Sequence, residues 1–333
     1  MRCKGKLHIL ELGLVVLLII TSCLCHANTA AASPVSSNGL LQVKGTQIVN
    51  KEGKPFVIKG VSTHGLSWYP QYVKKSAFQS LKKQGVNTIR LALYTEEYNG
   101  YCNSGKENQK NLEQLIDKGV KEATSLGMYV IIDWHILSDG NPLTHKKEAK
   151  TFFKKIAKKY NSYTNVLYEI CNEPNGDGGS WKNIKSYANA VIKVIRSVNK
   201  KAIIIVGTPT WSQDVDVAAA SPLKGSNIAY AFHFYASTHK DDLRNKLEGA
   251  VKSGLPVIVS EFGLSEASGN GNVDLKEANK WNKLLNRYKL GRVCWSLSNK
   301  DESSALLKAS CQKTGGWKQS DFSKAGKWLF KVY

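Results

Sequence analysis

The chain has 333 residues, 42% of them hydrophobic, and its 47 Lys and Arg outweigh 26 Asp and Glu to give a formal net charge of +21. The basic residues are scattered as Lys pairs at 74–75, 82–83, 146–147, 154–155, 158–159 and 200–201. With no DNA- or RNA-binding motif beside them they describe a solvated basic surface, and no nucleic-acid partner is expected.

The first residues have the form of a secretory leader. Arg2, Lys4 and Lys6 precede the apolar run LGLVVLLII, and Cys25-His26-Ala27 and Ala30-Ala31-Ala32 offer small-residue cleavage sites. The run falls short of the roughly 20 residues a membrane-spanning helix needs, so residues 1–27 are expected to be cleaved off, with 32 as the latest alternative. Removing Arg2, Lys4, Lys6 and Glu11 lowers the net charge from +21 to +19. No later stretch is long and apolar enough to span a bilayer, so a secreted protein without a membrane partner is expected. Residues 28–39 form a short tail, and 40–333 a single domain without linker or low-complexity block. Three of the seven cysteines, at 3, 23 and 25, leave with the leader. Of the rest, Cys171 and Cys294 sit in apolar runs as buried thiols, while Cys102 and Cys311 sit in loop-like sequence and are the expected bridge.

Residues 40–56 alternate polar and apolar between Gly turns, a hairpin signature. Eight β-prone runs follow: 56–61 (FVIKGV), 88–93 (TIRLAL), 128–134 (MYVIIDW), 165–171 (NVLYEIC), 202–208 (AIIIVGT), 228–235 (IAYAFHFY), 256–263 (PVIVSEFG) and 291–298 (GRVCWSLS). Helical spacing appears between most of them. Leu112, Leu115, Ile116, Val120 and Ala123 mark a helix over 111–126, and Tyr187, Val191, Val194, Ile195 and Val198 one over 187–198. The link between the fifth and sixth runs is the weakest helix. Strand–helix alternation implies parallel strands, and eight repeats fit a closed (β/α)8 TIM barrel. An open doubly wound sheet is the alternative, but VSTHGLSW after the first run is no phosphate-binding turn.

In such a barrel, chemistry sits where strands give way to loops, and polar residues collect there. His64 follows the first strand; Arg90 and Tyr94 belong to the second; Asp133, Trp134 and His135 end the third. Asn172 and Glu173 end the fourth, Trp211 follows the fifth, His233 and Tyr235 end the sixth, Glu261 the seventh and Trp295 the eighth. Glu173 and Glu261 each follow an apolar strand and precede a turn residue. Buried carboxylates are costly unless paired or functional, and two facing carboxylates suit cleavage of a glycosidic bond. Trp68, Trp211 and Trp295 offer flat faces for sugar rings, while Trp134 reads as partly core. Strict alternation would put Asn172 and Glu173 on opposite faces, so the strand must end or bulge before them, which Pro174 permits.

The segments STHGLSWYP, TIRLALY, IIDWH, YEICNEP, GTPTWSQD, HFY, VSEFG and CWSLSNKDES, in that order along nearly the whole mature chain, resemble glycoside hydrolase family 5, the cellulase family, and most closely its bacterial-type endoglucanases. The resemblance implies a secreted, monomeric endo-β-1,4-glucanase domain that retains anomeric configuration, with Glu173 as acid/base and Glu261 as nucleophile. It implies Arg90, His135, Asn172, His233 and Tyr235 as supporting residues, and His64, Trp68, Tyr94, Trp211, Trp295, Lys300 and Glu302 as substrate-binding positions. No cofactor is expected. A metal-dependent hydrolase would need closely spaced ligands, and no H-x-H occurs. The partner is a β-glucan; mannan, xylan or mixed-linkage glucan is the alternative substrate, and a non-catalytic sugar-binding barrel the alternative in kind. A retaining pair predicts carboxyl groups about 5–5.5 Å apart.

Overall fold

The computed structural model describes residues 34–333. The expected leader (1–27) and half of the tail (28–33) lie outside them. Helix α1 (Pro34–Asn38) leads into a hairpin of β1 (Gln42–Lys44) and β2 (Gln47–Val49). Eight parallel strands then close a barrel: β3 (Lys59–Thr63), β4 (Thr88–Tyr94), β5 (Tyr129–His135), β6 (Val166–Glu169), β7 (Ile204–Val206), β8 (Ile228–Tyr235), β9 (Val257–Gly263) and β10 (Arg292–Leu297), with β10 beside β3. Helices α2 (Lys75–Lys83), α3 (Gly105–Ser125), α4 (Lys146–Lys159) and α5 (Trp181–Arg196) make the first crossovers. The link after β7 has only the one-turn α6 (Pro209–Ser212) and α7 (Val215–Ala220), the weakest helical connection, as expected. Helices α8 (Asp241–Lys252), α9 (Leu275–Arg287) and α10 (Lys324–Val332) complete the ring. This is the (β/α)8 barrel read from the eight β-prone runs.

Period-two alternation sorts each strand's side chains. In β5, Val130, Ile132 and Trp134 face the helices and join the large outer core. Tyr129 and Ile131 fill the barrel interior with Leu167, Ile205, Ala231, Ile258 and Val293. The same inward phase continues through Asp133 to His135, so the strand that packs the interior also carries polar groups to its upper mouth. Trp134, read as partly core, is fully so.

The hairpin closes the lower mouth. Leu41, Ile48 and Phe56 belong to the interior cluster. Val43 N–H donates to Asn227 Oδ1 at 2.9 Å, Gln47 Nε2 to Tyr288 O at 2.8 Å, and Tyr129 Oη to Gly39 O at 2.6 Å. This explains why the first barrel strand begins at Lys59 and not at Phe56. Phe56 N–H donates to Ile48 O at 2.8 Å, so this residue is spent on the hairpin.

The expected Cys102–Cys311 bridge is not made: all four cysteines from 102 onward are free thiols. Cys102 lies in the loop after β4 and Cys311 beyond β10, strands that β3 separates in the barrel. Cys171 and Cys294 are buried thiols, as expected.

Candidate active site

A cavity of about 550 Å³ opens at the carboxyl ends of the strands. Of the residues singled out in the sequence, His64, Trp68, Tyr94, His135, Glu173, Trp211, His233, Tyr235, Glu261, Trp295, Lys300 and Glu302 line it. Arg90 and Asn172 do not; both are fully buried beneath its floor.

The two glutamates reach the cavity by different local devices. Strand β6 ends at Glu169, so the chain has left the sheet before Asn172 and alternation no longer binds it. Asn172 N–H donates to Trp134 O at 3.1 Å, Ser212 Oγ donates to Asn172 O at 2.6 Å, and Trp211 N–H donates to Pro174 O at 3.0 Å. These bonds hold Glu173 up at the rim. Glu261 depends on a bulge. Ala231 pairs with Ile258 but His233 pairs with Glu261, so β9 carries one extra residue there. Ser260 and Glu261 consequently both reach inward groups: Ser260 Oγ lies 2.9 Å from His233 Nε2, and Glu261 Oε2 accepts from Arg90 at 2.9 Å.

Arg90 organises the floor, and each of its three nitrogens finds an acceptor. Nε donates to Glu169 Oε2 at 2.7 Å, and Nη1 to Glu261 Oε2 at 2.9 Å and Ser62 Oγ at 3.4 Å. Nη2 donates to Asn172 Oδ1 at 2.6 Å and reaches Asp133 Oδ2 at 3.1 Å. Tyr235 Oη donates to Glu261 Oε1 at 2.7 Å. Glu261 thus has partners on both oxygens. Burial pushes its carboxyl up, but the positive charges of His233 and Arg90, together with Tyr235, outweigh burial and hold it below the usual range.

Glu173 goes the other way. Burial raises its pKa and the Glu261 charge adds to this, while the His233 hydrogen bond opposes it without reversing it. His233 Nδ1 lies 2.8 Å from Glu173 Oε1. One oxygen each of Glu173 and Glu261, with a ring nitrogen of His233, lie within 4.8 Å of one another. Such a trio could in principle ligate a cation, but both His233 nitrogens are already engaged, by Glu173 and by Ser260. Two neighbouring carboxyls held on opposite sides of their ordinary pKa are what general acid and nucleophile require.

Glu169 and Asp133 complete the floor. Glu169, fully buried, is driven down to about 2, because the Arg90 charge and hydrogen bond, with the His233 charge near by, overcome its burial. His233 is raised to about 9: burial disfavours its charge, but the Glu169 carboxylate 3.8 Å from Nε2 and the hydrogen-bonded Glu173 prevail. Burial takes His135 down to about 3, and its Nδ1 lies 2.6 Å from Asp133 Oδ2. The pKa changes set a stability window. A raised group stabilises below its unfolded value and loses that contribution as pH climbs through its folded value; a depressed carboxylate does the converse. His233, ordinarily 6.5 and here about 9, weakens the fold over that interval as pH rises. Glu169, ordinarily 4.5 and here about 2, weakens it as pH falls over that interval. Thermal unfolding measured across pH should therefore peak between 4.5 and 6.5 as far as these two groups decide it. His233→Asn should flatten the decline toward pH 9; an unchanged alkaline slope would contradict this account.

The tryptophans that line the cavity divide by exposure. Trp68 is 42% and Trp211 45% exposed, far more than packing residues, while Trp295 is 5% exposed and closes the inner wall. Trp211 is held out by a turn in which Thr210, Trp211 and Ser212 all have left-handed φ, at 57°, 53° and 58°. His64 Nδ1 lies 3.0 Å from Ser296 Oγ and 3.5 Å from Glu302, whose other oxygen pairs with Lys300 at 2.6 Å. Sequence reading missed Glu169, Ser260 and Ser296, and gave Asp133 no role. Glu169 had a signal: it shares the inward phase of Leu167 in an otherwise apolar strand. Ser260 and Ser296 had none, since each sits at a break in strand register.

A sequence profile of Cellulase (glycosyl hydrolase family 5) matches residues 49–301. Endoglucanase A of Butyrivibrio fibrisolvens is 47% identical over 293 residues, 87% of this chain and 68% of that protein. An endoglucanase of Clostridium saccharobutylicum is 46% identical over 319 residues, 95% of this chain and 70% of that protein. Among solved structures, the catalytic domain of a Thermobifida fusca endoglucanase in complex with cellotetraose superposes with a TM-score of 0.84 at 39% identity, covering 90% of this chain and 99% of that one. Over the barrel, the paired glutamates and the profile match alike, the chain belongs to glycoside hydrolase family 5, the cellulase family.

Proposed function

We propose that this chain is a retaining endo-β-1,4-glucanase that cleaves internal bonds of cellulose and related β-glucans by double displacement. The observation that carries the reading is the Glu173–Glu261 pair, with oxygens within 4.8 Å across one cavity and pKa values pushed apart. Oxygens this close fit the spacing of a retaining pair, about 5–5.5 Å, rather than that of an inverting pair, about 6.5–9.5 Å.

In the first step, Glu173 gives its proton to the leaving glycosidic oxygen while Glu261 attacks the anomeric carbon, forming a glycosyl ester. Esterification removes the negative charge of Glu261, one of the influences holding Glu173 protonated. Glu173 then acts as base toward water, which releases the sugar and restores both groups. Arg90 and Tyr235 keep Glu261 ionised and aimed until it attacks. Asn172, fully buried beneath the floor, donates from Nδ2 to Ile136 O at 3.1 Å and accepts from Arg90 at 2.6 Å, which supports Arg90 from below. Trp211 on one side and Trp68 on the other supply apolar faces for sugar rings flanking the cleaved bond.

The test is a product profile. Carboxymethylcellulose should lose viscosity quickly with few reducing ends released, and mannan and xylan should be cut far more slowly. Glu173→Gln should lower the rate on carboxymethylcellulose roughly 10²–10⁴-fold, and a chelator should leave the parent rate unchanged. No product from any β-glucan, or prompt loss with the chelator, would overturn the proposal. We propose further that the mature protein is a secreted monomer, with 1–27 as its leader and 40–333 as the catalytic domain. The intact mass and gel-filtration volume of protein recovered from an expression host's medium decide this; an uncleaved leader or a dimer would contradict it.

A further inference from the structure

Four large hydrophobic side chains among the described residues are conspicuously exposed: Trp68, Tyr98, Trp211 and Val217. Trp68 and Trp211 belong to the cavity already described. Tyr98 does not line it, and at 59% it is the most exposed of the four. Its ring centroid lies 5.2 Å from that of Trp68, with the planes tilted by 53°. Both neighbours of this position reach the cleft: Glu97, the preceding residue, and Trp68, the ring beside it, line the cavity. The aromatic surface of the cleft therefore continues past Trp68 onto Tyr98.

The loop that presents Tyr98 is built to keep it out. Asn99 takes a left-handed φ of 49°. Its carbonyl accepts from Ser67 Oγ at 2.7 Å and Asn108 Nδ2 at 2.8 Å. Ser67 is the residue before Trp68, so one hydrogen bond fastens the two aromatic-bearing loops together. Gly100 N–H donates to Glu97 O at 2.8 Å, and a Cβ at this glycine would stand 2.4 Å from Thr95 O. Glu97 Oε1 in turn accepts from Ser138 N–H at 2.8 Å. A slack loop would let the ring fold back onto the protein and bury its apolar face. Here the backbone is tied on both sides of Tyr98, and the ring stays in water.

We infer that Tyr98 forms one further sugar-binding position, which extends the cleft beyond Trp68 on the side away from Trp211 and takes a pyranose ring of the same β-linked glucan chain. The side follows from topology. Trp68 and Tyr98 follow β3 and β4, whereas Trp211 follows β7, which is four strands around the barrel from β3. The occupant follows from continuity, because a polymer lying across Trp68 is carried over the adjoining ring. Tyr98 touches no reacting atom, and its contribution grows with the length of the substrate.

This inference rests on the proposed function, and the experiment separates the two. Parent, Tyr98→Ala and Tyr98→Phe proteins are assayed on cellotetraose and cellohexaose, and the ratio of kcat/KM for the hexamer to that for the tetramer is compared. The ratio cancels any difference in the fraction of active enzyme. Tyr98→Ala should lower it about three- to tenfold, the size of one aromatic packing contact, and Tyr98→Phe should keep the parent ratio. A parent inert on both oligosaccharides would overturn the glucanase reading itself. With an active parent, an unchanged ratio in Tyr98→Ala, or a fall in Tyr98→Phe equal to that in Tyr98→Ala, would overturn the added position alone.

Discussion

Glu261→Gly should abolish hydrolysis, with a loss of roughly 10⁴-fold or more, because nucleophile and partners act as a unit. The glycine leaves a space beneath the anomeric carbon that a small anion can enter. Azide should then restore turnover, since Glu173 still protonates the leaving oxygen while azide attacks in place of the carboxylate. The product should be a glycosyl azide of inverted configuration, identifiable by NMR. A retained azide would argue against Glu261 as nucleophile. Glu173→Gly should behave oppositely: the ester still forms from a substrate with a good leaving group, and azide attacks that ester, giving net retention. The pair of experiments thus assigns the two carboxylates separately.

Arg90→Met should be the most destabilising single change at the site. Arg90 is fully buried and touches three acidic side chains, Asp133 at 3.1 Å, Glu169 at 2.7 Å and Glu261 at 2.9 Å. Its removal strands carboxylates in a medium that cannot solvate them. Breaking such a buried pair costs about 3–5 kcal/mol, which corresponds to a fall in Tm on the order of 10 °C. Activity should fall too, because Glu261 loses the charge that helps to hold its pKa down. Arg90→Lys should recover only part of either loss, since a single ammonium cannot reproduce the planar fork that reaches Glu169, Glu261 and Asn172 together. Denaturant melts decide this; an Arg90→Met protein as stable as the parent would show that the floor carboxylates take up protons without cost.

The barrel was legible because its strands are buried on both faces and read as apolar runs, each broken by a turn. The paired acids were legible because a charge at the end of such a run has little structural reason to be there. Less visible was anything set by register. The expected break near Asn172 is simply the end of β6, while the bulge that matters lies in β9, where no Gly or Pro marks it. Glu169 was passed over because it stands four residues before the more obvious Glu173, although inward alternation from Leu167 pointed to it. The bridge between Cys102 and Cys311 was inferred from loop-like surroundings alone, and local sequence carries no information on which loops meet.

The lower-mouth hairpin has a consequence for how the chain is made. Gln47 must wait for Tyr288, 241 residues later, before its side chain finds its acceptor. At ordinary synthesis rates of about 5–20 residues per second, that interval is roughly 12 to 50 s. For that time Leu41, Ile48 and Phe56 have no interior to enter, since the strands they will cap are still incomplete. The part of the domain that emerges early thus stays uncapped until nearly the whole barrel has been made, with its apolar face in water for that interval.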